Sequence, residues 1–484
     1  MMSSSGQTIG VMGRRLFLGQ GTDVLAGAAL ATLLGRDGLL RADAGGIAEG
    51  DFRLPAKAKR AVQITLIGGM SHIDSFDPKP ALERLNGKSL TTDKPPDVFF
   101  GQVGLLRKAD WAFRPRGKSG LEVSDLFPHI AGQADKLTVI RSMMADSANH
   151  TPALFVENSG FQFNGYPSLG SWLSYGLGSE ADDLPAFVVL PDGRSGPTGA
   201  ASNWTSGFLP AQHQGVPFSA GGQPVRDLAP ARAVSEKEER DSREFLARVN
   251  ANHLQRAGGE GALVARMKSY ELAARMQLAV PQVANLAAEP AAIRALYGLD
   301  QPTTADCGRR CLLARRLLEK GVRFVQVYSG GAIAGSPRQS WDAHENVREN
   351  HGAEAARIDQ PVAALLEDLA RRGMLDDTLV IFTTEFGRTP FTQSASGTVG
   401  PGRDHNKYGF SCWLAGAGLK PGMAYGATDE TGWKAAEKPV TWPDFHATVL
   451  RLLGIRHDRL TYYHNGIRRR LTNVHGEVAE GILA

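Results

Sequence analysis

Cysteine is scarce in this chain: three residues in 484, Cys307, Cys311 and Cys412. That count excludes a disulfide framework, and with no other Cys or His at metal-ligand spacing around the pair, metal or redox chemistry there is the lesser reading. Cys307 and Cys311 share one face of a helical pattern and read as small apolar filler; Cys412 sits in a strand-like run. There is no dense Lys/Arg tract with interleaved aromatics, and the formal charge is only +4. Nucleic acid is therefore not an expected partner. The most basic short run, "GIRRRL", reads as solvated surface. Also missing is an uncharged apolar run of the roughly 18–20 residues that a membrane-spanning helix needs, so no span is expected in the mature protein.

What is there begins with paired arginines. Arg14 and Arg15 precede Phe17-Leu18 and a Gly/Ala-rich stretch interrupted by Asp23, and "RADA" at 41–44 supplies an A-x-A-like cleavage site. Arg-Arg-x-Phe-Leu resembles the twin-arginine export signal. Residues 1–44 are expected to be that signal peptide and 45–58 a linker, with 59–484 one domain destined for the periplasm or the exterior. Folded export suits a protein that loads a cofactor before it crosses the membrane.

Beyond the linker, apolar runs alternate with helical periodicity. "RAVQITLIGG", "KLTVIRSM", "LPAFVVLPDG", "GVRFVQVYSGG", "TLVIFTT" and "GFSCWLAGAG" read as strands. Ile358, Val362, Leu365, Leu366 and Leu369 repeat at three and four along a helix. Strands alternating with helices predict an α/β fold: a doubly wound, mostly parallel sheet with helices on both faces. Between about 228 and 300 the pattern turns to charged, Ala-rich helix. It reads as a helical insertion capping the sheet's carboxyl edge, with packing on an outer face as the alternative.

Four expected strand ends carry polar clusters. They are "GGMSHIDSFDPKP" (Ser71, His72, Asp74, Asp77), "ADSANHTPALFVENSG" (Asp146, Ser147, Asn149, His150, Thr151), "SWDAHENVRENH" (Asp342, His344, His351) and "TTEFGRTPF" (Glu385, Arg388). The fourth is followed closely by "GRDHNKYGF" (Arg403, Asp404, His405). In a doubly wound sheet such ends lie on one edge and can converge. Carboxylates mixed with imidazoles suit a divalent ion: zinc, manganese or calcium. Locally, Asp342-Ala343-His344 also reads as a helix cap, and Ser71-x-x-Asp74 has capping-box spacing. Arg388 reads either as an anion fork or as the partner of Glu385. Asp74 and Glu385 also qualify as a glycosidase carboxylate pair.

The stretches "GGMSHIDSFDPKP", "DSANHTPALFVENSG", "WDAHENV", "EFGRTP", "GRDHNKYGF", "YGATDE" and "LTNVHGEV" resemble the exported bacterial DUF1501 family from about residue 60 to the end. That family is similar to the alkaline phosphatase and sulfatase superfamily, whose members hydrolyse phosphate or sulfate esters at a metal site. The resemblance implies an ester hydrolase acting on a small molecule or a polysaccharide. Asp342, His344, Glu385 and His405 would hold the ion, joined by Asp404, His72 and Asp74 as ligands or their neighbours. The superfamily's Asp-His strand end reads Glu385-Phe386 here, and its first-strand aspartate position reads Gly68-Gly69. Counting ten back from Gly160 to the nucleophile position reaches His150, expected as base or nucleophile, with Thr151 and Ser147 as neighbouring hydroxyls. Arg388 would bind the anionic group. The departures leave a non-catalytic binding or assembly protein as the alternative.

Overall fold

The computed structural model describes residues 51–92, 94–226, 228, 235–256, 261–331, 333 and 338–484; the expected signal peptide lies outside them. The elements that build the sheet and its cover are, in chain order, β1 (Arg60–Leu66), β2 (Leu137–Met144), α1 (His150–Ser159), α2 (Leu169–Leu177), β3 (Phe187–Leu190) and β4 (Val216–Pro217). Then come α3 (Glu236–Arg256), α4 (Gly261–Ala284), α5 (Ala305–Glu319), β5 (Phe324–Ser329), α6 (Val347–Arg371), β6 (Thr378–Thr384) and β7 (Gly387–Thr392). β8 (Arg403–Asn406), β9 (Phe410–Gly416), β10 (Met423–Tyr425), β11 (Val440–Thr441) and α7 (Trp442–Leu452) complete the set.

Nine strands form one sheet in the order β10-β2-β9-β6-β1-β5-β3-β4, with β11 also paired to β2. Every pairing is parallel except the two made by β9. The apolar runs of β1 and β6 are continuous because both faces of the sheet are covered. Alternation along β6 divides the interior in two. Val380 and Phe382 join the core formed by α5 and α6, where Cys307, Cys311, Ile358, Val362 and Leu365 pack. Leu379 and Ile381 join the core on the other face, with Leu154 of α1, Trp172 of α2 and Trp442, Phe445 and Val449 of α7. The chain is an α/β protein with helices on both faces, as its alternating pattern predicts.

Local sequence sets the helix starts. Asn346 caps α6 by accepting from the Glu349 amide at 3.2 Å, and Thr441 with Asp444 forms the capping box of α7. In the expected insertion, Met276, Val280 and Val283 of α4 join the same core cluster as Cys307 and Leu312 of α5. All three cysteines are free and buried.

What positions the site is register. Leu66 stands level with Ser329 of β5 and with Thr384 of β6. The chain therefore leaves β1 at Gly68 and β6 at Glu385 on one edge, where a parallel sheet collects its polar strand ends.

Candidate metal centre

Four side chains from three separate stretches meet above that edge. One ligand atom each from His150, Asp342, His344 and His405 lies within 4.8 Å of all the others. His150 opens α1, Asp342 and His344 sit on the approach to α6, and His405 lies in β8, which pairs antiparallel with β7. Asp342 is the hub. Its Oδ1 is 2.7 Å from His344 Nε2, 3.2 Å from His405 Nε2 and 3.4 Å from His150 Nε2.

The far side of each ring decides what the near side can do. His150 Nδ1 is 2.8 Å from Glu385 Oε1, His405 Nδ1 is 2.5 Å from the Ala148 carbonyl oxygen, and His344 Nδ1 faces Gln393 Oε1. A carboxylate and a backbone carbonyl only accept, so these Nδ1 atoms carry the protons and the Nε2 lone pairs point inward. His344 Nε2 and His405 Nε2 are 2.9 Å apart, and the buried His150 Nε2 has no hydrogen-bond partner. Lone pairs crowded on one another and on a carboxylate repel unless a positive charge lies between them. Three imidazoles held by outer acceptors, plus one carboxylate, form a donor set that fits a divalent cation.

Charge around the hub is arranged to keep Asp342 ionised. Burial works against ionisation, but the Arg388 charge beside it holds its pKa far below the usual carboxylate range. Burial and the Arg388 charge push the His405 imidazole well down. Burial lowers His150 as well, yet the neighbouring carboxylates of Asp342 and Glu385 outweigh that and raise it.

Residues 58–483 match the family described as "Protein of unknown function (DUF1501)". The chain belongs to the DUF1501 family. No curated protein matches it. Solved structures give distant likenesses. One is the PsFucS1 sulfatase from Pseudoalteromonas sp. (14% identity, 82% of this chain and 68% of that one, TM-score 0.35). Another is a TAB5 alkaline phosphatase variant with bound Mg (10% identity, 84% and 99%, TM-score 0.36). A third is the zinc complex of the C-terminal periplasmic domain of EcEptC from Escherichia coli (8% identity, 86% and 86%, TM-score 0.35).

In this DUF1501 chain the remaining expected ligands stand one step back from the cluster or well away from it. Glu385 does not reach it; its Oε1 accepts from His150 Nδ1 and from the Gly68 amide at 2.7 Å, so it orients a ring. Asp404 accepts from the His405 amide at 2.7 Å and the Phe100 amide at 2.9 Å. His72 is buried with Nε2 2.8 Å from the Gly432 carbonyl, which fixes it as a structural contact. Asp74 is buried in an ion pair with Arg403 at 3.1 Å and accepts from Ser71 Oγ and the Asp110 amide. The Ser71-x-x-Asp74 spacing closes a turn and starts no helix. That enclosure removes Asp74 from any glycosidase pair with Glu385, since neither substrate nor water reaches its carboxylate.

Arg388 is the sharpest correction. It is wholly buried, and its donors go to the carbonyls of Gly68, Gly69, Trp341 and Arg403 and to Asp342 Oδ1 at 2.6 Å. A guanidinium buried among these acceptors is closed off from a substrate anion. Its carboxylate partner is Asp342, not Glu385. Ser147 accepts from the Asn149 amide in the loop before α1, and Thr151 is half-buried in the helix's first turn.

Sequence reasoning missed several neighbours. Arg338 pairs with Asp342 Oδ2 from four residues upstream, a spacing that was a readable signal. Gln393 and the Ala148 carbonyl, which hold two of the rings, carry none. Gly68 shows why an aspartate cannot stand at the end of β1. Its φ is +117°, and a Cβ there would lie 2.7 Å from the Trp341 carbonyl carbon and collide with the Asp342 amide. Phe386, which follows Glu385 at the end of β6, lays its ring against His405 with the centroids 4.5 Å apart. The described residues contain one such group of ligands.

Proposed function

We propose that this protein is a metal-dependent hydrolase of sulfate or phosphate esters carried by a small molecule or a polysaccharide, exported by the twin-arginine route. One observation carries the reading: three imidazole Nε2 atoms, each with its Nδ1 tied to an acceptor, face a single buried carboxylate oxygen. His150, Asp342, His344 and His405 would hold the cation. When bound, it supplies a Lewis acid for an ester oxygen or for an attacking water. Glu385 keeps the His150 proton on Nδ1, Arg388 and Arg338 keep Asp342 anionic, and Phe386 closes the inner side of His405. Ser147 lines the cavity next to the centre and offers a hydroxyl there, and Thr151 follows His150 in the first turn of α1. Export rests on Arg14, Arg15 and the 41–44 cleavage pattern; no helix among the described residues is long and apolar enough to cross a membrane.

A second reading has its own support. His150 occupies the superfamily's nucleophile position yet is drawn into the cation cluster, and Arg388 is wholly buried with Asp342 as its carboxylate partner. Those two facts favour a cation- or anion-binding assembly protein on a degenerate hydrolase fold.

Elemental analysis of the purified mature protein, followed by aryl phosphate and aryl sulfate assays with Asp342→Ala as control, separates the two. Bound metal with turnover abolished in the variant supports the hydrolase. Bound metal with no turnover on any ester moves the assignment to the binding protein, and absence of metal removes the hydrolase and leaves only the anion-binding form of the second reading.

A further inference from the structure

A cavity of about 330 Å³ opens beside the cation centre, with His405 on its wall. This volume sits at the low end of the roughly 300–1,000 Å³ of small-molecule sites, enough for one ring and its substituents. Residues 97–99 and 146–149 line it together with Lys407 and Tyr408.

Its lining has two halves of different chemistry. Phe99 is 44% exposed although its ring stacks on His405 at 4.9 Å, so an apolar face is left open at the edge of the metal centre. The same lining carries exposed polar groups with unspent capacity. Asn149 occupies the cap position of α1 but its side chain makes no capping bond, and neither it nor Asp146 has a side-chain hydrogen bond among the described residues. Asp97 accepts from the Tyr408 hydroxyl and lies 3.8 Å from Lys407 Nζ. Two carboxylates against one lysine repel a polyanion. An anionic group is welcome only at the cation, and whatever fills the cavity must be neutral, rich in hydroxyls and flat on one side.

Resting on the hydrolase reading, we infer that the cavity binds the hydroxylated ring of a sugar monoester, with Phe99 as the stacking face and Asp146 and Asn149 as hydroxyl partners. Phe99 is then a specificity residue: it selects the group that carries the ester, while the cation cluster engages the ester itself. The ring needs no other charge, so a monoester on an otherwise neutral sugar fits better than a densely sulfated chain.

Saturation-transfer NMR on chelator-stripped protein, with methyl glucoside, methyl galactoside and methyl mannoside as probes, tests the cavity without the reaction. At least one glycoside should bind, and Phe99→Ala and Phe99→Leu should each weaken it about fivefold or more by removing the ring face. Asn149→Ala should weaken it as well, and Phe163→Ala, a change at a 74% exposed side chain outside the cavity, should not. The thermal midpoint of each variant checks that the fold is intact. No saturation from any of the three glycosides, equal binding by the Phe99 and Phe163 variants, or stronger binding of dextran sulfate than of dextran would overturn the assignment. Glycoside binding by a protein that turns over no ester retires the hydrolase and keeps the cavity; ester turnover without glycoside binding does the reverse.

Discussion

His150 Nδ1 and Glu385 Oε1 lie 2.8 Å apart, joining residues 235 positions apart in the chain. This contact orients one imidazole of the cluster, and the same oxygen accepts from the Gly68 amide, so the end of β6 is tied to the end of β1 through it. A carboxylate behind a metal-bound histidine fixes the tautomer and raises the ligand's basicity. Glu385→Gln should therefore weaken divalent-cation affinity by about 10–100-fold while the fold persists. Chelator competition with a fluorescent zinc indicator measures it; an unchanged affinity would remove Glu385 from the centre.

Asp342 neutralises two arginines, one of them wholly buried. Taking away one member of a buried pair leaves an uncompensated charge, at a cost of about 3–5 kcal/mol. Asp342→Ala should lose the cation and also unfold at distinctly lower urea. Chelated wild type should retain most of that structural share, so comparing it with the variant separates the ion's contribution from the ion pair's.

Gly68→Ala asks a side chain to adopt a φ of +117° and to occupy space filled by the Trp341 and Asp342 backbone. Destabilisation of about 2–4 kcal/mol is expected, combining backbone strain with displacement of the segment that carries Asp342. Circular dichroism melts report the stability loss. Metal stoichiometry reports the displacement.

Glu157 of α1 is buried below the site, where Thr383 Oγ1 donates to its Oε1 at 2.6 Å and its Oε2 has no partner. Burial, with the Glu385 charge behind it, raises its pKa from 4.5 to about 8. Between those values the folded chain holds a proton that the unfolded chain has released. The contribution is therefore full below about pH 4.5, declines as pH rises towards 8, and then levels off. Across that window the loss is on the order of 3–5 kcal/mol. Glu157→Gln, which resembles the protonated acid, should flatten the slope and be more stable than wild type at pH 8 and above. Urea melts of both proteins from pH 5 to 9 check it, and parallel slopes would refute it.

Cation binding to the native state alone adds stability by mass action, about 2.7 kcal/mol at a free concentration 100 times Kd. Chelation should lower the thermal midpoint of the wild type, and added zinc or manganese should restore it. The His405→Ala variant should respond far less to either.

Much of the fold was legible along the chain because burial on both faces leaves a plain mark. Runs such as Leu379-Val380-Ile381-Phe382 and the three-and-four spacing from Ile358 to Leu369 name strand and helix without any tertiary knowledge. The same reading collected Asp342, His344 and His405 as ligands, because carboxylates and imidazoles at apolar strand ends are costly to leave there without a partner. It also located His150, though as a base or nucleophile.

The division of labour among those residues was another matter. Whether Glu385 touches the cation or steadies His150, and whether Arg388 meets a substrate or four carbonyls, depends on distances of a few ångströms between segments hundreds of residues apart. Composition and periodicity determined that this chain builds a covered, mostly parallel sheet and gathers its chemistry on one rim, because those properties follow from how each segment must bury its own apolar surface. Only the tertiary structure decided which side chains face inward and which hold them in place, because hydrogen-bond geometry and close backbone approach, as at Gly68, are set by how the segments pack together.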